Sequence, residues 1–94
     1  MNDGGAAAGA AAAAIIQATK ASGVIVRLEP QEFLNLLAKQ DAPLIVRAVG
    51  GLLSTNYQYL VSYKGLAFYT KSPEELPLPP RAETVMARSI WIPG

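Results

Sequence analysis

The stretch YQYLVSYKGLAFYT, residues 57–70, alternates in side-chain character along its length. Tyr57, Tyr59, Val61 and Tyr63 fall on one face of an extended chain, and Gln58, Leu60 and Ser62 on the other. Beyond Lys64-Gly65, Leu66, Phe68 and Thr70 alternate with Ala67 and Tyr69. Successive side chains of a strand point to opposite faces, so two such runs joined by two residues predict a β-hairpin with a tight turn at Lys64-Gly65.

Upstream of this hairpin, APLIVRAVGG (42–51) reads as a strand closed by a glycine pair. EPQEFLNLLAKQ (29–40) reads as a short amphipathic helix over 30–39. Glu29 is its cap, Pro30 stands where a first turn tolerates proline, Glu32 suits the helix dipole, and Phe33, Leu34, Leu36 and Leu37 recur at helical spacing. GVIVRL (23–28) is β-branched and reads as a strand, so 23–51 form a strand–helix–strand unit. If its two strands lie parallel in one sheet, the crossover is right-handed. Downstream, four prolines in SPEELPLPP (72–80) exclude helix or central strand and predict a surface loop, partly polyproline-like. ETVMARSIWIP (83–93) supplies a last strand. A β-α-β-β-β-β order predicts an α+β fold: a small mixed sheet of about five strands with helix 30–39 on one face. The other face then needs a cover.

The N-terminal run GGAAAGAAAAAIIQATKASG (4–23) is the natural candidate. It divides the chain into an Ala-rich helix or tail (1–22) and a small α+β domain (23–94). As a helix the uncharged part, 4–19, reaches about 24 Å, short of the roughly 30 Å hydrocarbon core of a bilayer. Membrane attachment through it is the weaker alternative. The N-terminus also lacks the basic residues of a signal peptide. Alanine is the best helix former, Asn2 or Asp3 can cap the start, and Gly23 is placed to end the helix. Ala8, Ala12, Ile15 and Thr19 share one stripe at helical spacing. That stripe predicts a packing helix, set against this chain's own sheet or against a second copy.

The composition excludes much chemistry. There is neither cysteine nor histidine. Thiolate nucleophiles, Ser-His and Cys-His pairs, and metal sites built on Cys or His are therefore absent. The expectation is no catalytic residue, no cofactor and no metal. Net charge is +1, with three basic and four acidic residues in 1–42 and five and three in 43–94. Neither half carries the basic footprint that nucleic acid requires.

SYKGLAFYTKS (62–72), LPLP (76–79) and the ending IWIP (90–93) resemble a group of small bacterial hypothetical proteins. The likeness spans roughly residues 22–94. It implies a bacterial, cytoplasmic protein and brings over no assigned activity and no catalytic residue.

Candidate contacts follow from residue type. Arg27 and Arg47 sit inside apolar strands and are the best candidates for a phosphate or carboxylate site, since arginine binds such groups bidentately. Otherwise they face solvent or pair with Glu29, Glu32 or Glu83. Tyr57, Tyr59, Tyr63 and Tyr69 with Lys64 and Lys71 suit protein contact better than a nucleic-acid platform at this net charge. Leu52 and Leu53 lie in a connection, where apolar residues mark contacts. Glu74 and Glu75 read as solvated. The leading expectation is a non-enzymatic module that associates with itself, with Ala8, Ala12, Ile15, Leu52, Leu53, Tyr57, Tyr59, Tyr63 and Trp91 as candidate interface. The alternative is a module that binds a small ligand or another protein through Arg27, Arg47 and the tyrosine hairpin.

Overall fold

The computed structural model describes residues 14–19, 21, 23–49, 56–87 and 90. Helical residues 14–19 (α1) precede β1 (Ile25–Arg27), α2 (Pro30–Ala38), β2 (Leu44–Val49), β3 (Tyr57–Tyr63), β4 (Leu66–Ser72) and β5 (Glu83–Met86). The strands form one mixed five-stranded sheet in the order β1-β4-β3-β2-β5, the small α+β fold that the sequence predicts.

The hairpin is the middle of this sheet. β3 and β4 pair antiparallel from Tyr57↔Ser72 to Tyr63↔Leu66. At the turn both Lys64 (φ 53) and Gly65 (φ 80) are left-handed, as a type I′ turn demands. Glycine adopts that conformation freely, whereas a lysine there is strained. Lys64→Asn is therefore expected to stabilise the protein by about 0.5–1 kcal/mol. A urea midpoint that stays put or falls would mean that the Lys64 ammonium, 5.4 Å from the Tyr63 ring centroid, offsets the strain.

The strand–helix–strand unit is split. β1 and β2 run in the same direction, but β1 pairs with β4 and β2 with β3, so the hairpin lies between them. The last strand is shorter than the sequence suggests and pairs parallel to β2 on the far edge. Reaching that edge from β4 takes the chain across β3 and β2. The proline-rich segment 73–82 makes this crossing without a helix. Leu78 N–H bonds to the Leu76 carbonyl (2.9 Å), and Ala82 N–H to that of Pro79 (3.0 Å), which fold its second half into turns. Its apolar side chains point inward, where Leu76, Leu78 and Ala82 pack beside α2.

Pleating gives the sheet two apolar faces. On the α2 side Phe33 and Leu37 pack on Ile45, Tyr59 and Val61. α2 starts as its sequence requires: Glu29 N–H donates to the Glu32 carboxylate (3.1 Å), and Phe33 N–H to the Glu29 carbonyl (2.9 Å). On the other side Val46, Ala48, Leu60, Ala67, Tyr69, Val85 and Ile90 form a second cluster. Ile15 and Ile16 of α1 pack onto it, so the described end of the Ala-rich helix covers this chain's own sheet. Gly23, at φ 68, donates its N–H to the Thr19 carbonyl (3.2 Å) and ends the helix as expected.

One buried group disagrees with its surroundings. Thr70 is fully buried, and its hydroxyl has no hydrogen-bond partner. A desolvated, unpaired hydroxyl destabilises, and valine has nearly the same shape without it. Thr70→Val is expected to raise stability by about 1–2 kcal/mol. A lower melting temperature in the variant would show that the hydroxyl is satisfied in solution.

Candidate interaction surface

Strand β2 alternates Leu44, Val46 and Ala48 toward α1 with Ile45, Arg47 and Val49 toward α2. Arg47 therefore emerges on the α2 side, beyond the part of the sheet that the helix covers. Its Nη1 meets the Glu75 carboxylate at 2.9 Å, and its guanidinium lies 5.0 Å from the Tyr57 ring centroid. Its Nε is buried without a partner. Glu75 remains 59% exposed, so this is no deep ion pair, and it contributes within the usual surface range of about 0–1 kcal/mol. Glu75 is solvated, as the sequence predicts, and the turns of 73–82 also bring it within reach of Arg47.

Two apolar side chains adjoin this cluster. Met86 is Arg47's neighbour on β5, and Val49 pairs with Tyr57 on β3. Met86 is 53% exposed and Val49 44%. Arginine, tyrosine and methionine are the types that protein interfaces favour. The sequence hides both apolar residues, since each closes an ordinary strand, and exposure at a strand end depends on what the rest of the chain covers.

The two arginines do not form a joint site within one chain. Arg27 shares the α1 side with Ile25, on edge strand β1, while Arg47 faces the α2 side of β2. Two strands separate β1 from β2, which places them about 14 Å apart at ~4.8 Å per strand. Nor do the tyrosines make one platform. Tyr57, Tyr59 and Tyr63 face the α2 side and Tyr69 faces the other. Tyr59 is not a surface residue at all: it is fully buried, and its hydroxyl accepts the Leu76 N–H at 3.0 Å. Tyr57 and Tyr63 are half-buried. Ile15 faces its own sheet, which removes it from a contact between copies. Ala8, Ala12, Leu52, Leu53 and Trp91 lie outside the described residues.

A concavity opens between α1 and the hairpin. Ala14, Ile15, Ala18 and Thr19 face Ser62, Gly65, Leu66 and Ala67 across a mostly apolar cleft of about 230 Å³. Its cause is local: alanines and a glycine are too short to fill the space between a helix and a sheet. Among the described residues no three carboxylates gather as metal ligands, and no helix is long and apolar enough to cross a membrane. Comparison with family models, with curated proteins and with solved structures finds no match for this chain, so its function has to be argued from this geometry.

Proposed function

We propose that this chain is a non-enzymatic module that acts by protein–protein contact, and that its first partner is a second copy of itself. The observation that carries the reading is the pair of exposed apolar side chains, Met86 and Val49, set beside Arg47 and Tyr57. The presence of Arg47 and Glu75 in one patch supports self-pairing. A two-fold axis that runs between these two side chains sets each charge against its opposite in the other copy. A chain of this size also buries a modest share of its surface and gains from association. The test is absolute mass by light scattering after size exclusion. The full chain is expected to run as an oligomer, and the double variant Val49→Lys/Met86→Lys as a folded monomer. A full chain that is monomeric at every concentration overturns the reading.

The α1–hairpin cleft favours a second reading, the binding of a small apolar molecule. A six-carbon alcohol at millimolar concentration is then expected to shift the Thr19, Ser62, Gly65 and Ala67 amide resonances saturably, and Ala67→Leu to abolish the shifts. Unmoved resonances in the unmodified chain overturn it.

A further inference from the structure

We infer that the cleft between α1 and the hairpin takes an uncharged aliphatic alcohol of about eight carbons, with its chain in the cleft and its hydroxyl at Ser62. This rests on the second reading above, the binding of a small apolar molecule, and names the chemical class of that molecule.

The walls select the chain. Thr19 and Ala67 are buried and form the floor, whereas Ala14, Ala18 and Ser62 are exposed and form the rim. Ser62 pairs with Ala67, so both side chains stand on the α1 side of the sheet. Inward, the cleft ends where Ile15 packs on the buried cluster of that side. Among the described residues no aromatic ring lines it. A flat ring therefore finds nothing to stack on, while methyl and methylene walls give an aliphatic chain dispersion contact along its length. Size follows from volume. A cavity of about 150 Å³ holds benzene, which has six non-hydrogen atoms. In proportion, a cleft of about 230 Å³ holds about nine, the number in octanol.

The rim selects the head. The Thr19 hydroxyl donates to the Ile15 carbonyl at 2.8 Å, so the floor spends its polar hydrogen within the helix. Ser62 is exposed, and a serine hydroxyl both donates and accepts. Among the described residues no charged side chain lines the cleft. Lys64, next to Gly65, holds its ammonium 5.4 Å from the Tyr63 ring centroid, and Tyr63 stands on the α2 side. A charged head would lose part of its water with no opposite charge in return, whereas a hydroxyl exchanges one hydrogen bond for another.

Chemical-shift titration of the full chain tests chain and head separately, read at the Thr19, Ser62, Gly65 and Ala67 amides. Each methylene taken from water tightens binding about fourfold. Octanol is therefore expected to bind about 15-fold more tightly than hexanol. Decanol, whose last carbons stay outside, is expected to gain less than about twofold over octanol. Octanoate and octylammonium are expected to bind about fivefold more weakly than octanol, or worse. Ala18→Leu fills the cleft from an exposed helical position and is expected to weaken octanol about tenfold. Ser62→Ala removes the partner of the head and is expected to weaken octanol about two- to fivefold. Unchanged affinity in Ser62→Ala overturns the placement of the hydroxyl, and unchanged affinity in Ala18→Leu overturns the site. Affinity that still rises about fourfold per methylene as far as decanol, or a charged head that binds as tightly as octanol, overturns the chemical class and leaves the second reading standing. If no alcohol moves these amides, both fall.

Discussion

Tyr59→Ala is expected to cost about 3–5 kcal/mol, the scale of deleting a large buried aromatic side chain. A chain of this length has roughly 5–14 kcal/mol of total stability, so the variant sits at the edge of folding. Three features of the site set the size of the effect. Tyr59 is fully buried. Its ring packs on Phe33 with centroids 6.1 Å apart and planes tilted by 44°, which joins β3 to α2. Its hydroxyl accepts the Leu76 N–H and so fixes the proline-rich crossing to the sheet. Tyr59→Phe separates the ring from the hydroxyl. It keeps the packing and leaves one amide unpaired, for an expected cost of about 1–2 kcal/mol. Hydrogen exchange at Leu76 is expected to accelerate in Tyr59→Phe more than exchange in β2 or β3. Uniform acceleration across the sheet would mean that the hydroxyl supports the core as a whole and does not tether the crossing.

Arg81→Ala is the second large effect, with an expected loss of about 1–3 kcal/mol. The last carbonyls of a helix have no partners within it and carry partial negative charge. Here the Arg81 guanidinium supplies both the donors and the charge. Its Nε donates to the Gln40 carbonyl at 3.0 Å, and its Nη2 to those of Leu37 (3.0 Å) and Ala38 (3.1 Å). Lysine has the charge without the fork, so Arg81→Lys is expected to recover only part of the loss. The readout is the denaturation midpoint at low and at high salt. A deficit that vanishes in high salt would assign the effect to long-range charge, and one that persists to the hydrogen bonds themselves. Equal stability of all three proteins would remove Arg81 from the account.

These two residues mark the boundary of what the sequence discloses. Local signals are legible: the Lys64-Gly65 turn, the Glu29–Glu32 start of α2 and the Gly23 stop of α1 each depend on neighbours a few residues away. The alternation in 57–70 correctly assigns every hairpin side chain to its face. The contacts that bind distant segments are not legible. Lys39 stands nearest the end of α2 in sequence, yet the cation that reaches the end carbonyls is Arg81, delivered by a turn of the proline-rich crossing some forty residues on, on the same side of the sheet. Tyr59 reads as one more tyrosine of a surface strand until segment 73–82 lies across it. Arg27 and Arg47 share the sequence Ile-Val-Arg but face opposite ways, because the register across the hairpin sets Arg27 in line with Val46, one residue before Arg47. Glu75 finds Arg47 through a crossing that only the strand order makes necessary.

The strand order also has a kinetic consequence. β2, β3 and β4 are consecutive in sequence and joined at neighbouring edges, so this meander closes only short loops as it forms. Each outer strand must instead find a partner far along the chain: Ile25 meets Ala67, and Leu44 meets Glu83. Closing long loops costs entropy before contacts compensate, so the meander assembles early and both edges zip on last. By the same reasoning the edges open first, on a faster timescale and at lower free energy than the centre. Amide exchange should therefore fall into tiers, slowest in β3 and fastest in β1 and β5.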